Sequence, residues 1–134
     1  MSFSFVGSVA GSKSILNRCL VVKSYEPGIE LIGDSKADDV ADMKQAMDAF
    51  KSGKGEILCG HAGTVFRFMA LRCSRKPGRY LLKGSERLLS RPQDELITVL
   101  RQLGCDAQME PDGLHIQSGG WSLRGDAIHV PCHR

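Results

Sequence analysis

The chain has 134 residues, 42% of them apolar and 25% charged, and carries a formal net charge of +3. That length suits one domain and leaves little room for two, while the composition excludes wholesale disorder, collagen-like sequence and a disulfide-stapled mini-scaffold. No uncharged stretch approaches the ~18–20 apolar residues of a membrane-spanning helix, and residues 1–5 lack the basic and long apolar regions of a secretory signal, so a cytoplasmic protein with no membrane partner is expected.

In chain order, residues 3–9 read as a strand and residues 14–24 as a helix with Ile15, Leu16, Cys19, Leu20 and Val22 on one face. Tyr25-Glu26-Pro27-Gly28 breaks that helix, and a short strand follows at 29–32. Asp38 or Asp39 is expected to cap the next helix, where Val40, Met43, Met47 and Phe50 keep helical spacing. Residues 56–59 are again strand-like. Thr64 opens a helix through Cys73 that is apolar on most sides and is therefore expected to be buried. Residues 79–83 read as a strand. Ser90-Arg91-Pro92-Gln93 has the form of a capping box with proline in the first turn. The helix it predicts buries Leu96, Val99, Leu100 and Leu103 and ends at Gly104. Strands at 106–109, 114–117 and 127–130 complete the chain, with Pro111-Asp112-Gly113 turning between the first two. The alternation predicts an α/β chain of the α+β type, built of βαβαββ units. One unit runs from about Phe3 into the sixties and the next from there to the end, with helices on one face of the sheet.

The sharpest local signal is Gly11-Ser12-Lys13-Ser14, between an expected strand and a helix. Free amides of a first helical turn, the positive end of the helix dipole and the Lys13 ammonium together favour an anion. Arg18 lies one turn along the same face as Ser14. The string is one residue short of a P-loop, because Ser12 stands where that motif needs glycine, and a nucleotide-hydrolysing reading is set aside. Gly60-His61-Ala62-Gly63-Thr64 repeats the same physics ahead of a helix carrying Arg67, and Arg87-Leu88-Leu89-Ser90-Arg91-Pro92 does so a third time. Charge is also segregated. Residues 26–56 hold eight acidic and four basic side chains, and residues 60–101 hold nine basic and three acidic. A basic half attracts small anions or nucleic acid; with aromatics at only 6% and no basic run interleaved with them, nucleic acid is not expected. The five cysteines have no C-x-x-C pair and read as reduced thiols. His129, Cys132 and His133 are weak evidence for a metal, and none is expected.

Gly11-Ser12-Lys13-Ser14-Ile15-Leu16-Asn17-Arg18 resembles the G-S-K-S-x-x-N-R signature of the 5-enolpyruvylshikimate-3-phosphate synthase (3-phosphoshikimate 1-carboxyvinyltransferase) family. Ala37-Asp38-Asp39-Val40 is similar to its S-D-D-V/T segment, and Gly60 to Arg67 to its G-N-A-G-T-x-x-R motif. Gly84 to Pro92 resembles its G-x-x-R-(x)3-R-P stretch, and Leu100-Arg101-Gln102-Leu103-Gly104 its L-R-x-L-G. The motifs keep order and spacing over nearly the whole chain. Three positions depart from the family pattern: Ala10 and Phe68 stand where proline is usual, and His61 where asparagine is usual.

The resemblance implies a transferase of the shikimate pathway, in aromatic amino-acid biosynthesis. It moves the enolpyruvyl group of phosphoenolpyruvate to the 5-hydroxyl of shikimate 3-phosphate by addition and elimination, releasing phosphate and needing no cofactor. Carried over by position, Lys13 is the catalytic residue and touches both substrates. Ser14 and Arg18 bind shikimate 3-phosphate, Gly63 and Arg91 bind phosphoenolpyruvate, and Thr64 and Arg67 support the cluster. The implied fold is a mixed sheet with helices on one face, in domains of three βαβαββ units. Residues 1–134 correspond to about two of those units. The expected partner is the remainder of a two-domain enzyme, and the isolated chain is expected to be an inactive fragment. Two rivals are a non-catalytic, truncated anion-binding homologue and a UDP-N-acetylglucosamine enolpyruvyltransferase-like protein. The latter family has a K-N-x-x signature where Lys13-Ser14 stands, so Ser14, Asn17 and Arg18 favour the shikimate enzyme.

Overall fold

Alternating burial in the second half of the chain builds a sheet. The computed structural model describes Ser4, residues 11–123 and residues 125–131. Among these residues four strands, β1 (Glu56–Leu58), β2 (Gly78–Lys83), β3 (Asp106–Glu110) and β4 (Gly113–Ser118), lie in the order β1-β2-β4-β3. β1 runs parallel to β2, with Ile57 opposite Leu82, and β4 pairs antiparallel with both β2 and β3, so that Ile116 faces Tyr80 and Ala107. Tyr80, Leu82, Ala107, Leu114 and Ile116 are buried, whereas Arg79, Asp106, His115 and Gln117 alternate with them on the exposed face.

Among the described residues, five helices accompany the strands: α1 (Lys13–Tyr25), α2 (Asp38–Lys51), α3 (Gly63–Ser74), α4 (Glu86–Leu89) and α5 (Asp94–Gln102). α2, α3 and α5 pack on the sheet, and α1 packs on α2 and α3. The core joins Met43, Met47 and Phe50 of α2 and Val65, Phe66 and Met69 of α3 to Ile57, Leu82, Leu100 and Leu114. Each such buried side chain contributes about 1.5–3 kcal/mol relative to exposure. The succession β1-α3-β2-α5-β3-β4 is one complete βαβαββ unit, with α4 an added turn.

Several expectations are corrected. The expected strand at 3–9 lies outside the described residues except for Ser4. Residues 29–32 form no strand; Ile32 is 91% exposed, and among the described residues no neighbouring strand offers it a ladder. Residues 127–130 are not a strand either. The Gln102 carboxamide replaces a neighbouring strand there, donating to the His129 carbonyl and accepting from its N–H, both at 2.7 Å. The buried residue of α1 is Asn17, while Ile15 and Val22 are exposed, because among the described residues α1 packs mainly on α2 and α3 and its buried stripe is narrow. Neither Asp38 nor Asp39 is the cap of α2. Ala37 holds that position, and both carboxylates sit in the first turn, where the helix dipole favours them. The expected capping box does not form, since α5 starts at Asp94 with no side-chain cap and Pro92 precedes it. Ser90 instead ends α4, its hydroxyl donating to the Arg87 carbonyl at 2.8 Å. Ser85 has already opened α4 by accepting from the Leu88 N–H, so Ser90 falls at a helix end. Val99 is only half-buried on α5.

Candidate anion site

At the opening of α1, the Ser12 hydroxyl accepts from the Ile15 N–H at 3.4 Å. Lys13 and Ser14 follow as the first two residues of the helix, both exposed. Lys13 Nζ stands 3.3 Å from Asp39 Oδ2. An exposed pair of this kind is worth about 0–1 kcal/mol, so a doubly charged phosphate competes for the ammonium on favourable terms. One turn on, Arg18 Nη1 donates to the Ser14 carbonyl at 3.2 Å and to the Ser14 hydroxyl. Its guanidinium lies 5.9 Å from the centroid of the Phe68 ring. An ammonium, a guanidinium and a hydroxyl therefore share one end of one helix.

The opening of α3 is built on two close approaches. Gly60 has φ +69°, and a Cβ there would stand 2.1 Å from Asp42 Oδ2. The Gly60 carbonyl accepts from the Ser85 N–H at 2.9 Å, and the Cys59 N–H donates to the Lys83 carbonyl at 2.8 Å. The motif is thus stitched to the end of β2. Gly63 starts α3 with a half-buried Thr64 behind it. A Cβ on Gly63 would meet Arg67 Nη1 at 2.8 Å, because the guanidinium folds back over the first turn. Arg67 also lines a groove with Pro92 and Gln93. Arg91, just before them, is exposed, and its N–H donates to the Leu88 carbonyl at 3.2 Å.

α3 is the hub of this region. It carries Phe68 beside Arg18 and, one residue earlier, Arg67 beside the 92–93 segment. Among the described residues, no ion pair engages Arg18, Arg67 or Arg91, and no hydrogen bond or ion pair joins Arg91 to Lys13 or Arg18. Cys59, next to Gly60, is no nucleophile: burial, aided by Cys73 and Asp42, pushes its thiol up to about 12. No three His, Cys, Asp or Glu side chains gather for a metal among the described residues, and Cys132 and His133 lie outside them. Sequence reasoning missed Asp39 and Asp42 as partners of the two motifs and Phe68 as the ring beside Arg18. The Asp38-Asp39 pair was a visible signal, but its spacing suggests a cap and not a counter-ion.

A mixed α/β layer thus carries two packed helices whose first turns hold Lys13, Arg18 and Arg67. The chain's family is given by comparison. A family model described as EPSP synthase (3-phosphoshikimate 1-carboxyvinyltransferase) matches residues 26–132, and the chain belongs to that family. It is 34% identical over 93 residues to the 3-phosphoshikimate 1-carboxyvinyltransferase of Bacteroides fragilis strain YCH46, an alignment covering 69% of this chain and 22% of that protein. To the proteins of that name from Vibrio atlanticus and Bordetella avium it is 30% identical, over 88% and 93% of this chain and 35% and 34% of theirs. The chain therefore spans about a fifth to a third of the length of these relatives. No described helix is long and apolar enough to cross a membrane.

Proposed function

We propose that residues 1–134 are the N-terminal part of a cytoplasmic enolpyruvyl transferase of the shikimate pathway, acting with the remainder of a two-domain enzyme. The reaction joins the enolpyruvyl group of phosphoenolpyruvate to the 5-hydroxyl of shikimate 3-phosphate through a tetrahedral adduct, from which phosphate leaves. The observation that carries this reading is the placement of Lys13 and Arg18 at the opening of α1 and of Arg67 over the opening of α3, on helices that pack together. Two phosphorylated carboxylates repel each other, so bringing them together requires fixed cations and oriented amides. Lys13 is assigned contact with both substrates, exchanging Asp39 for a phosphate. Ser14 and Arg18 take shikimate 3-phosphate. The Gly63 amide and Arg91 take phosphoenolpyruvate, with Thr64 and Arg67 holding that turn in shape.

A second reading, anion binding without catalysis, is favoured for the chain on its own by its span of only 22–35% of the relatives' lengths. Without a second domain the contacts stay in high dielectric, where an ion pair at ~4 Å is worth about 1 kcal/mol. Calorimetric titration with shikimate 3-phosphate is expected to give weak binding that fades with salt and is lost in Lys13→Met. Binding no tighter than that of inorganic phosphate at equal ionic strength would defeat the substrate assignment. A parallel phosphate-release assay is expected to stay at background. Release at about 1 per second or faster would mean that 134 residues suffice for catalysis.

A further inference from the structure

Between α1, α3 and the segment after β4 lies a cavity of about 260 Å3 lined by Arg18, Tyr25, Phe68, Leu71, Arg72 and Trp121. Its walls are aromatic and aliphatic, the charged groups that line it are the guanidiniums of Arg18 and Arg72, and a third, that of Arg75, lies 4.9 Å from the Tyr25 and 5.4 Å from the Trp121 ring centroid. Both sides are held in place. Trp121 Nε1 donates to the hydroxyl of the fully buried Ser74 at 2.9 Å. Arg72 Nε donates to the Ser24 hydroxyl at 2.6 Å and Nη2 to the Ser24 carbonyl at 3.3 Å, and its guanidinium lies 3.9 Å from the Tyr25 ring centroid. No carboxylate lines the cavity, and no ion pair engages either arginine among the described residues.

This lining selects its ligand by exclusion. A hydrated phosphate would leave the aromatic walls unused, and a plain hydrocarbon would strip water from two charges without replacing it. A planar ring with one carboxylate satisfies both demands, since the ring packs against aromatic faces and the carboxylate matches a guanidinium fork. The volume admits a single ring, as pockets for drug-sized ligands begin at about 300 Å3. We propose that this cavity is a binding site for a small aromatic carboxylate, its ring among Tyr25, Phe68 and Trp121 and its carboxylate on Arg18 and Arg72. The inference needs no turnover and no shikimate 3-phosphate; it predicts only that such an acid competes with any ligand that also uses Arg18.

Trp121 is the chain's single tryptophan and reports on the cavity directly. Benzoate, titrated into the full chain at constant ionic strength, is expected to change Trp121 emission saturably. Cyclohexanecarboxylate and benzyl alcohol, lacking the aromatic ring and the charge respectively, are expected to bind about fivefold or more weakly. Arg18→Met and Arg72→Gln are each expected to weaken benzoate about tenfold, with far-ultraviolet circular dichroism unchanged. Arg18 is exposed, so its variant and the ligand series decide the matter even if Arg72→Gln fails to fold. The proposal is overturned by an absent or non-saturating response to benzoate, by an equal response to cyclohexanecarboxylate or inorganic phosphate, or by undiminished affinity in Arg18→Met.

Discussion

The two glycines of the α3 opening are required for different reasons, and substitution separates them. At Gly60 an alanine meets both a left-handed φ of +69° and Asp42 Oδ2. The backbone alone costs about 1–2 kcal/mol, so Gly60→Ala is expected to lower the unfolding free energy measured in urea by that amount or more. At Gly63 the obstacle is the far end of a flexible side chain, Arg67 Nη1 at 2.8 Å. Gly63→Ala is therefore expected to keep its melting temperature within a few degrees while swinging the guanidinium off the first turn. Its phosphate affinity then falls several-fold, toward that of Arg67→Met. If Gly63→Ala matched wild type in phosphate binding, the folded-back guanidinium would have no part in holding anions.

Helix ends make the same point one level up. Ser85 caps α4 by accepting from the Leu88 N–H at 3.2 Å, and the Ser90 hydroxyl only returns a bond to the Arg87 carbonyl. Ser85→Ala is expected to cost about 1 kcal/mol in chemical denaturation, against about 0.5 kcal/mol or less for Ser90→Ala at its exposed position. The reverse order would restore the capping-box reading. That reading fails for a physical reason: Ser-x-x-Gln fixes a pattern of donors and acceptors but not which of two adjacent helices uses it. What the residues state by themselves is periodicity. Val40, Met43, Met47 and Phe50 are all buried as their spacing predicts, and the β3–β4 hairpin turns at Pro111-Asp112 as its residues demand. What they do not state is which neighbours exist. The outward Ile15 and Val22 reflect the packing of α1 on α2 and α3 among the described residues, and the absent strand at 127–130 reflects Gln102 bonding its backbone. In the candidate site the cations and small residues were legible for the same reason that periodicity was, since they act at fixed distances along the chain. Asp39 and Asp42 were not, because their partners lie far away in sequence.

For the whole molecule, one core shared by sheet and helices ties stability to pH through its thiols. Cys59 and Cys73 are both fully buried in that core. Burial pushes each thiol from the ordinary 9.0 up to about 12; Cys73 and Asp42 add to the rise at Cys59, and Arg72 opposes it slightly at Cys73. The folded chain thus keeps protons that the unfolded chain surrenders above pH ~9, and stability must fall as pH rises. The contribution is complete below pH ~9 and is lost between about 9 and 12, at roughly 1 kcal/mol per thiol for each pH unit. Burial raises the Tyr80 hydroxyl as well, which adds a slope of the same sign from pH ~10 upward. Urea midpoints are therefore expected to be insensitive to these groups from pH 7 to 8.5 and to decline above 9. In Cys73→Ala the plateau drops because a cavity opens, but the alkaline slope becomes shallower because one retained proton is gone. Thiol reagents at pH 8 are expected to reach the half-buried Cys19 well before Cys59 or Cys73. An alkaline slope as steep in Cys73→Ala as in the parent chain would mean that its thiol keeps an ordinary affinity for its proton in the folded state.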